Sequence, residues 1–386
     1  MSNKIDEIVL VFCAVDGSLL NMSLSKTGAD RYMSGRLTLE NSEQLRGIIG
    51  KKDSIYRAVD SNFHLEGREF IAIRSPLNEK VIFSFPEIEY LTANSDSWET
   101  QKSYGPSFLK EIIAINDNNK PINVKSYNAT LDCHIVTENM NVVESSYPCK
   151  GLNSQFRDLT KQYLDIMGVD IISHISSSEG KISFSFSSED PLSFSTSICL
   201  LRMACSLAAT KLDLIVMFSP KVSDSNDGCF LKYGIKVSCK EVGIINAAIN
   251  SLIFNSGEYS GITNFYHNSV KKFYKDPRKN VSDYIYSEKI GHDTYMINVG
   301  IPDSNSNPFL TLALITHFMN KVFINSENII AYDMIKNNSM SCVHLLENNF
   351  DFEEGIIDFI KREKKKDIDM YMSVSKDEFI HVLNRN

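Results

Sequence analysis

Several absences narrow what this sequence encodes. None of its eight cysteines forms a Cys-x-x-Cys pair, and the scattered histidines have no metal spacing to a cysteine. A zinc site is thereby disfavoured, and the thiols read as reduced, buried small hydrophobes. Positive charge is not in excess: 40 Lys and Arg face 48 Asp and Glu, a net charge of −8, against the basic balance of a nucleic-acid binder. No uninterrupted apolar run approaches a membrane span. The start, Met1-Ser2-Asn3-Lys4-Ile5-Asp6, lacks a signal-peptide core, so a cytoplasmic protein without a nucleic-acid or membrane partner is expected. Repeats, low-complexity tails and long linkers are also missing.

What is present reads as an ordinary globular chain. At 386 residues, 43% apolar and 23% charged, it is long enough for a large core and two domains. Residues 7–24 predict a hairpin, with Ile8 to Phe12 as one strand, Asp16-Gly17 as the turn and Leu19 to Leu24 as the return. Phe70 to Ile73 and Val81 to Leu91 read as further strands. A mostly sheet domain over 1–80 and a larger one over 81–386 follow. In the second, Phe156 to Met167 has helical spacing and ends at Gly168, a plausible cap. Ile182, Phe184 and Phe186 alternate with Ser183, Ser185 and Ser187, the signature of a strand with one apolar and one hydroxyl face. Ser195 to Lys211 and Phe309 to Phe323 predict helices, and Leu214 to Phe218 a strand. A last helix is expected over about Phe352 to Lys364, with the basic run Lys361 to Lys366 as its solvated end.

The most pointed feature is Phe85-Pro86-Glu87-Ile88-Glu89-Tyr90-Leu91, two acids at alternate positions in an apolar segment. Side chains two apart on a strand share a face. Glu87 and Glu89 therefore stand side by side and repel unless a proton or cation separates them. Pattern alone fits a solvent-facing sheet edge; the alternative is a divalent metal carrying a phosphate substrate.

Taken in order, several segments resemble the glutamine synthetase family over most of the chain. Phe85 to Tyr90 is similar to the family's Gly-Pro-Glu-x-Glu-Phe strand. Tyr163 to Val169 followed by His174 resembles its helix, glycine and His-Glu strand, and Phe218-Ser219-Pro220-Lys221 its Phe-Met-Pro-Lys. Asn264 to Phe273 follows its Asn-Pro-x-x-Asn-Ser-Tyr-Lys-Arg-Leu, and Ile301 to Leu310 its Phe-Pro-Asp-x-x-x-Asn-Pro-Tyr-Leu. Near the start, Asp16-Gly17 matches its first hairpin and Leu39 to Ile48 its Phe-Asp-Gly-Ser-Ser loop.

The resemblance implies an α+β protein: an N-terminal β-grasp domain, then a catalytic-type domain with a curved, mainly antiparallel sheet flanked by helices. It implies ring-shaped homo-oligomers with sites shared between subunits, Glu40, Asn41 and Ser42 lying in the inter-subunit loop. The family's chemistry uses ATP to phosphorylate a glutamate side chain, and ammonia or another amine displaces the phosphate. Magnesium or manganese held by glutamates clamps the phosphates, with arginines facing the transferring group. Transferred to this chain, Glu87 and Glu89 are metal ligands, with Glu179 as a displaced third. Lys221, Lys271, Lys272 and Arg278 become substrate or nucleotide contacts, and a small amino-acid or amine ligand is the expected partner. Solvated charges at strand ends and helix faces are the plainer reading of the lysines, Arg278 and Glu179.

The pattern breaks where metal and phosphate would bind. The His-Glu step is His174-Ile175, and the next glutamate falls on or near Ser183. The Gly-Met-His-x-His strand reads Gly228-Cys229-Phe230-Leu231-Lys232, and the Arg-x-Glu-x-Arg strand reads Met296-Ile297-Asn298-Val299-Gly300. Backbone-shaping positions such as Pro302, Asn307 and Pro308 persist. Three readings follow: a diverged ATP-dependent carboxylate–amine ligase acting through an acyl-phosphate, a pseudoenzyme serving as metabolite-binding regulator, scaffold or partner of an active paralogue, or an unrelated α+β binding protein.

Overall fold

The computed structural model describes residues 6–39, 45, 47–49, 54–60, 73–92, 95, 97–117, 122–139, 141–143, 151–177, 180–219, 228–266, 269, 281–321, 343, 346–348, 350 and 352–383. The chain opens with β1 (Glu7–Cys13), β2 (Leu19–Leu24), α1 (Lys26–Met33), β3 (Leu37–Leu39), β4 (Ser54–Asp60) and β5 (Ile73–Arg74). It continues with β6 (Val81–Ser84), β7 (Pro86–Thr92), β8 (Glu99–Thr100), α2 (Gly105–Asp117), β9 (Asn123–Val136) and α3 (Leu152–Met167). Next come β10 (Ile171–Ser176), β11 (Lys181–Ser188), α4 (Pro191–Lys211), β12 (Ile215–Met217), β13 (Leu231–Ser238), α5 (Val242–Phe254) and α6 (Ser256–Thr263). The last described elements are β14 (Ile285–Lys289), β15 (Thr294–Val299), α7 (Pro308–Asn320) and α8 (Glu354–Leu383).

Three sheets organise these elements. One has strand order β2-β1-β6-β5, with β1 parallel to β6, and a second has the antiparallel order β3-β4-β7-β8. The third is seven-stranded, antiparallel along β10-β11-β9-β13-β15-β14, with β12 also paired to β9. The segment from Val81 to Leu91, read above as one stretch, is two strands in two sheets. Phe85 falls outside both, and Pro86, without a backbone N–H, opens β7 where no ladder donor is needed. Because β6 pairs with β1, residues on both sides of position 80 share one sheet.

Strand β1 joins two cores through its alternation. Ile8, Leu10 and Phe12 belong to a smaller apolar cluster with Tyr32, Tyr56, Ile88 and Tyr90. Val9, Val11 and Cys13 face the main cluster, built from β9, β11, β13, β15, α4 and α7. The predicted alternation of β11 holds: Ile182, Phe184 and Phe186 are buried. Helix α3 ends as expected at Gly168, with φ +78°, its N–H closing onto Asp165 and its neighbour's onto Leu164. Helix α4 begins at the Asp190 cap, whose carboxylate accepts from Ser193 N at 2.6 Å, with Pro191 in the first turn. Among the described helices it alone is long and apolar enough to cross a membrane, and 67% of that window is buried inside the protein. It is a core helix.

The expected end of the last helix is corrected. Helix α8 continues to Leu383, so Lys361 to Lys366 lie within it. Nor is the whole run solvated: Lys364 is buried, its ammonium donating to Phe265 O at 3.0 Å above the Phe265 ring. Long methylene stems let a lysine cross apolar surface and still place its charge on a carbonyl.

Candidate functional site

Strand β7 puts Ile88 and Tyr90 into the smaller core and Glu87 and Glu89 on its other face. That face is covered as well, leaving the glutamates 6% and 5% exposed. Antiparallel pairing with β4 sets Arg57 directly opposite Glu89 and Val59 opposite Glu87. The Arg57 guanidinium meets Glu89 Oε2 through Nε at 2.6 Å and through its second amino group at 2.5 Å, donates to Gly35 O at 3.3 Å, and lies 4.2 Å from the centroid of Trp98. On the other side of β7, β8 runs into α2 within a few residues. That turn brings Lys110 over the strand, where its ammonium pairs with Glu87 Oε1.

The repulsion foreseen between the two glutamates is therefore relieved by cations of the protein itself. This bears on the implied magnesium or manganese. Two positive charges of the protein already pair with the carboxylates, so each acid's charge is balanced without a metal. A metal would have to displace them first.

The other motif positions lie in a different sheet, the seven-stranded one. Its register lines up Ile175, Ser183 and Asp132 on neighbouring strands, with Phe230 next to Asp132 through backbone hydrogen bonding. The adjoining row holds Ser185, Thr130, Lys232 and, 3.8 Å from the Lys232 Cγ were it to carry a Cβ, Gly300. One row further stand Ser187, Asn128, Gly234 and Asn298, with Met296 against Gly234. The positions at which the pattern breaks, Ile175, Ser183, Phe230, Lys232, Met296, Asn298 and Gly300, thus land on one face of this sheet, opposite the apolar core, whereas Glu87 and Glu89 lie in another sheet. The two missing glutamate positions, Ile175 and Ser183, are direct cross-strand partners.

The chemistry on that face is not a metal cage. Asp132 is fully buried and committed: Ser183 Oγ donates to it at 2.6 Å and Phe230 N at 3.4 Å. Thr130 and Ser185 share a hydroxyl hydrogen bond of 2.9 Å. Phe230 stacks on Tyr284 at 5.9 Å. Lys181, Lys232 and Lys236 share the face by register, and Ile175 is exposed there. A hard divalent cation needs six or more oxygen ligands, several of them from protein or phosphate; apolar, hydroxyl and ammonium groups at these positions do not fit it. Among the described residues no group of three or more His, Cys, Asp or Glu is placed to hold a metal. His174 points instead at α3, where burial and then the Arg157 charge hold its imidazole below the usual range.

A loop knot next to the sheet explains the retained motif positions. Asn307 Oδ1 caps α7 by accepting from Phe309 N and Leu310 N, both at 3.0 Å, while its amide donates to Cys13 O and Ala14 O. Buried Asp303 accepts from Ser269 Oγ and from Asn264 Nδ2, and Tyr266 donates to Asp16 at 3.0 Å. Gly17, at φ +87°, sits so close that a Cβ would lie 1.8 Å from Asn305 O. These segments serve architecture by joining the first hairpin to the main core.

Glu40, Asn41, Ser42, Glu179, Lys221, Lys271, Lys272 and Arg278 lie outside the described residues. The groups that sequence reading passed over are Arg57, Trp98, Lys110 and Asp132. Each sits in a locally ordinary context, and only strand pairing shows what it faces.

No family model and no curated protein matches the sequence. Solved structures do match. "Apo GmaS without ligand" aligns over 96% of this chain and 94% of that one, with a TM-score of 0.73 and 12% identity. The chain has the fold of GmaS. That protein is a gamma-glutamylmethylamide synthetase of the glutamine synthetase family. A second structure, "GmaS/ADP complex-Conformation 1", matches with a TM-score of 0.70 over 96% of this chain and 95% of that one, again at 12% identity. The resemblance read from scattered motifs is borne out at the level of fold.

Proposed function

We propose that this chain keeps the GmaS-like fold as a pseudoenzyme, a regulator or partner that binds a small amino-acid or amine ligand without metal-dependent phosphoryl transfer. The observation that carries this reading is the sheet face. Ile175, Ser183, Phe230, Lys232, Met296, Asn298 and Gly300 stand together where the resemblance asks for metal and phosphate ligands. Losing one electrostatic partner of a transferring phosphoryl group typically costs about 3–4 kcal/mol in the transition state, and here a set is replaced together. The N-terminal hairpin, α1 and the parallel β1–β6 pair support the β-grasp reading of the first domain. Strand β10, at the edge of the sheet among the described residues and with Ile172 and Ile175 exposed, supports self-association, in keeping with a ring-type homo-oligomer.

A diverged ATP-dependent carboxylate–amine ligase is the second reading, favoured by the match to an ADP-bound GmaS structure. Calorimetric titration of Mg-ATP and Mn-ATP into the protein and into Glu87→Gln/Glu89→Gln separates the two. The proposal expects no nucleotide binding that depends on these glutamates. Saturable Mg-ATP binding by the parent, lost in the double variant, would overturn it in favour of the ligase.

A further inference from the structure

The main core holds one charge that none of the described residues balances. Arg202, on α4, is 4% exposed. Its two amino groups donate to Ser306 O at 2.6 Å and to Gly17 O at 3.5 Å, and its Nε has no partner. A guanidinium keeps its proton in a folded protein, and a buried charge without an opposite one is costly. The acids of the adjoining loop knot are engaged elsewhere, Asp16 by Ser18 and Tyr266 and Asp303 by Ser269 and Asn264. Both acceptors of Arg202 are backbone carbonyls.

Other polar groups converge on the same place. Cys199 lies one turn before Arg202 on α4, and Cys13 Sγ shares Gly17 O with the guanidinium. Ser195, a further turn back, donates to Pro308 O at 3.5 Å, which sets this face of α4 against the first turn of α7, where Thr311 stands. Tyr233 enters from the core face of β13, its ring 5.9 Å from that of Phe194 and its hydroxyl approaching Thr311. Tyr104 precedes Gly105, where a Cβ would lie 3.2 Å from Asn307 Oδ1, and its hydroxyl approaches the Cys13 backbone. Tyr104, Tyr233 and Thr311 are each at most 2% exposed, and none of their hydroxyls closes a hydrogen bond. Buried polar atoms are nearly always satisfied in native proteins, so orphans gathered around a charge point to a ligand held among them. Burial keeps both phenols protonated, and burial together with the neighbouring Cys199 keeps the Cys13 thiol so. These groups offer protons and no negative charge.

We propose that Arg202, Tyr104, Tyr233 and Thr311 form an internal site for one small monovalent anion of the chloride class. One guanidinium calls for one negative charge. A water would satisfy hydroxyls but leave the guanidinium unbalanced, whereas an anion accepts from all these donors and is held by charge as well. The bound anion would tie the end of β1 and the start of α2 to α4, β13 and α7. The site lies on the core face of β13, opposite the face that carries Lys232 and Gly234, and so stands apart from the functional reading above.

The test is thermal unfolding of the full chain in sodium chloride against sodium gluconate at equal ionic strength. The parent Tm is expected to rise by several degrees, and to level off, as chloride replaces gluconate. Arg202→Met keeps an apolar stem and removes the charge, so its Tm should be the same in both salts. Tyr233→Phe removes one donor and keeps the ring, so it should need several-fold more chloride for the same rise. It carries the test alone should Arg202→Met fail to fold. Crystals of the parent grown in sodium bromide should show an anomalous peak within hydrogen-bonding reach of Arg202 Nε. Any one of three results overturns the proposal: a parent Tm indifferent to the choice of salt, a chloride response that the folded variants keep unchanged, or no bromide peak beside Arg202. None of the three bears on the functional reading, which depends on Mg-ATP binding.

Discussion

Arg57 shows how much of this site is decided by one side chain. Its guanidinium serves a buried carboxylate, a backbone carbonyl and the ring of Trp98 together, the planar, many-donor role that lysine does not reproduce. Removing one partner of a buried pair leaves the other charge stranded, which typically costs 3–5 kcal/mol. Because Arg57 is partly exposed, Arg57→Met is expected near the lower end, about 3 kcal/mol, read as a lowered urea midpoint at constant m-value. Arg57→Met/Glu89→Met should recover most of that loss. A double variant as unstable as the single one would show that packing on Trp98, rather than the charge pair, holds this corner. From the sequence, Glu87 and Glu89 were legible as a pair on one face. Their counter-ions were not, since Arg57 and Lys110 are ordinary charged residues until strand and helix pairing places them.

At the level of elements, Asn307 does two jobs. It closes the N-terminus of α7 and holds the carbonyls at the end of β1. A lost cap costs about 1 kcal/mol, and losing the amide's bonds to the buried carbonyls, of which Ala14 O keeps its bond from Gly17 N, adds a similar amount. Asn307→Ala is therefore expected to lower stability by about 2 kcal/mol. Asn307→Asp, which keeps the cap and loses the donation, should fall between parent and Ala in the same denaturation measurement. Equal losses for both variants would mean that the bridge to β1, and not the cap, is what matters. Elements with local signals were legible: the β1–β2 hairpin around Asp16-Gly17, the α3 stop at Gly168 and the alternation of β11. The division of Val81 to Leu91 between two sheets was not, because Phe85-Pro86 marks a break without saying which partner each half takes. Helix α8 was underestimated because a run of lysines resembles a solvated terminus, whereas Lys364 turns inward onto Phe265.

At the scale of the whole molecule, the match to GmaS at 12% identity shows how far side chains can change while a fold survives. Register follows from which faces are apolar, so a core of alternating Val, Ile, Leu and Phe can keep seven strands aligned whatever the opposite face carries. The proposed ring-type assembly belongs to this scale. Sedimentation velocity is expected to give a species of many subunits, and Ile172→Asp/Ile175→Asp should shift it toward smaller ones if β10 contributes to the contact. A parent that sediments as a monomer would sink the proposed ring.

Local order and pattern were in the chain from the outset: hairpin, caps, alternating strands, the glutamate pair and the ordered motifs that pointed to the right fold. These depend on neighbours a few residues apart. Tertiary structure alone decided what neutralises the glutamates, since Arg57 and Lys110 are 32 and 23 residues from their partners. It also decided that Ile175, Ser183, Phe230, Lys232, Asn298 and Gly300, spread over more than a hundred positions, would share one face of one sheet. Charge pairing and strand register are set by contacts between distant segments, and those exist only once the chain has closed on itself.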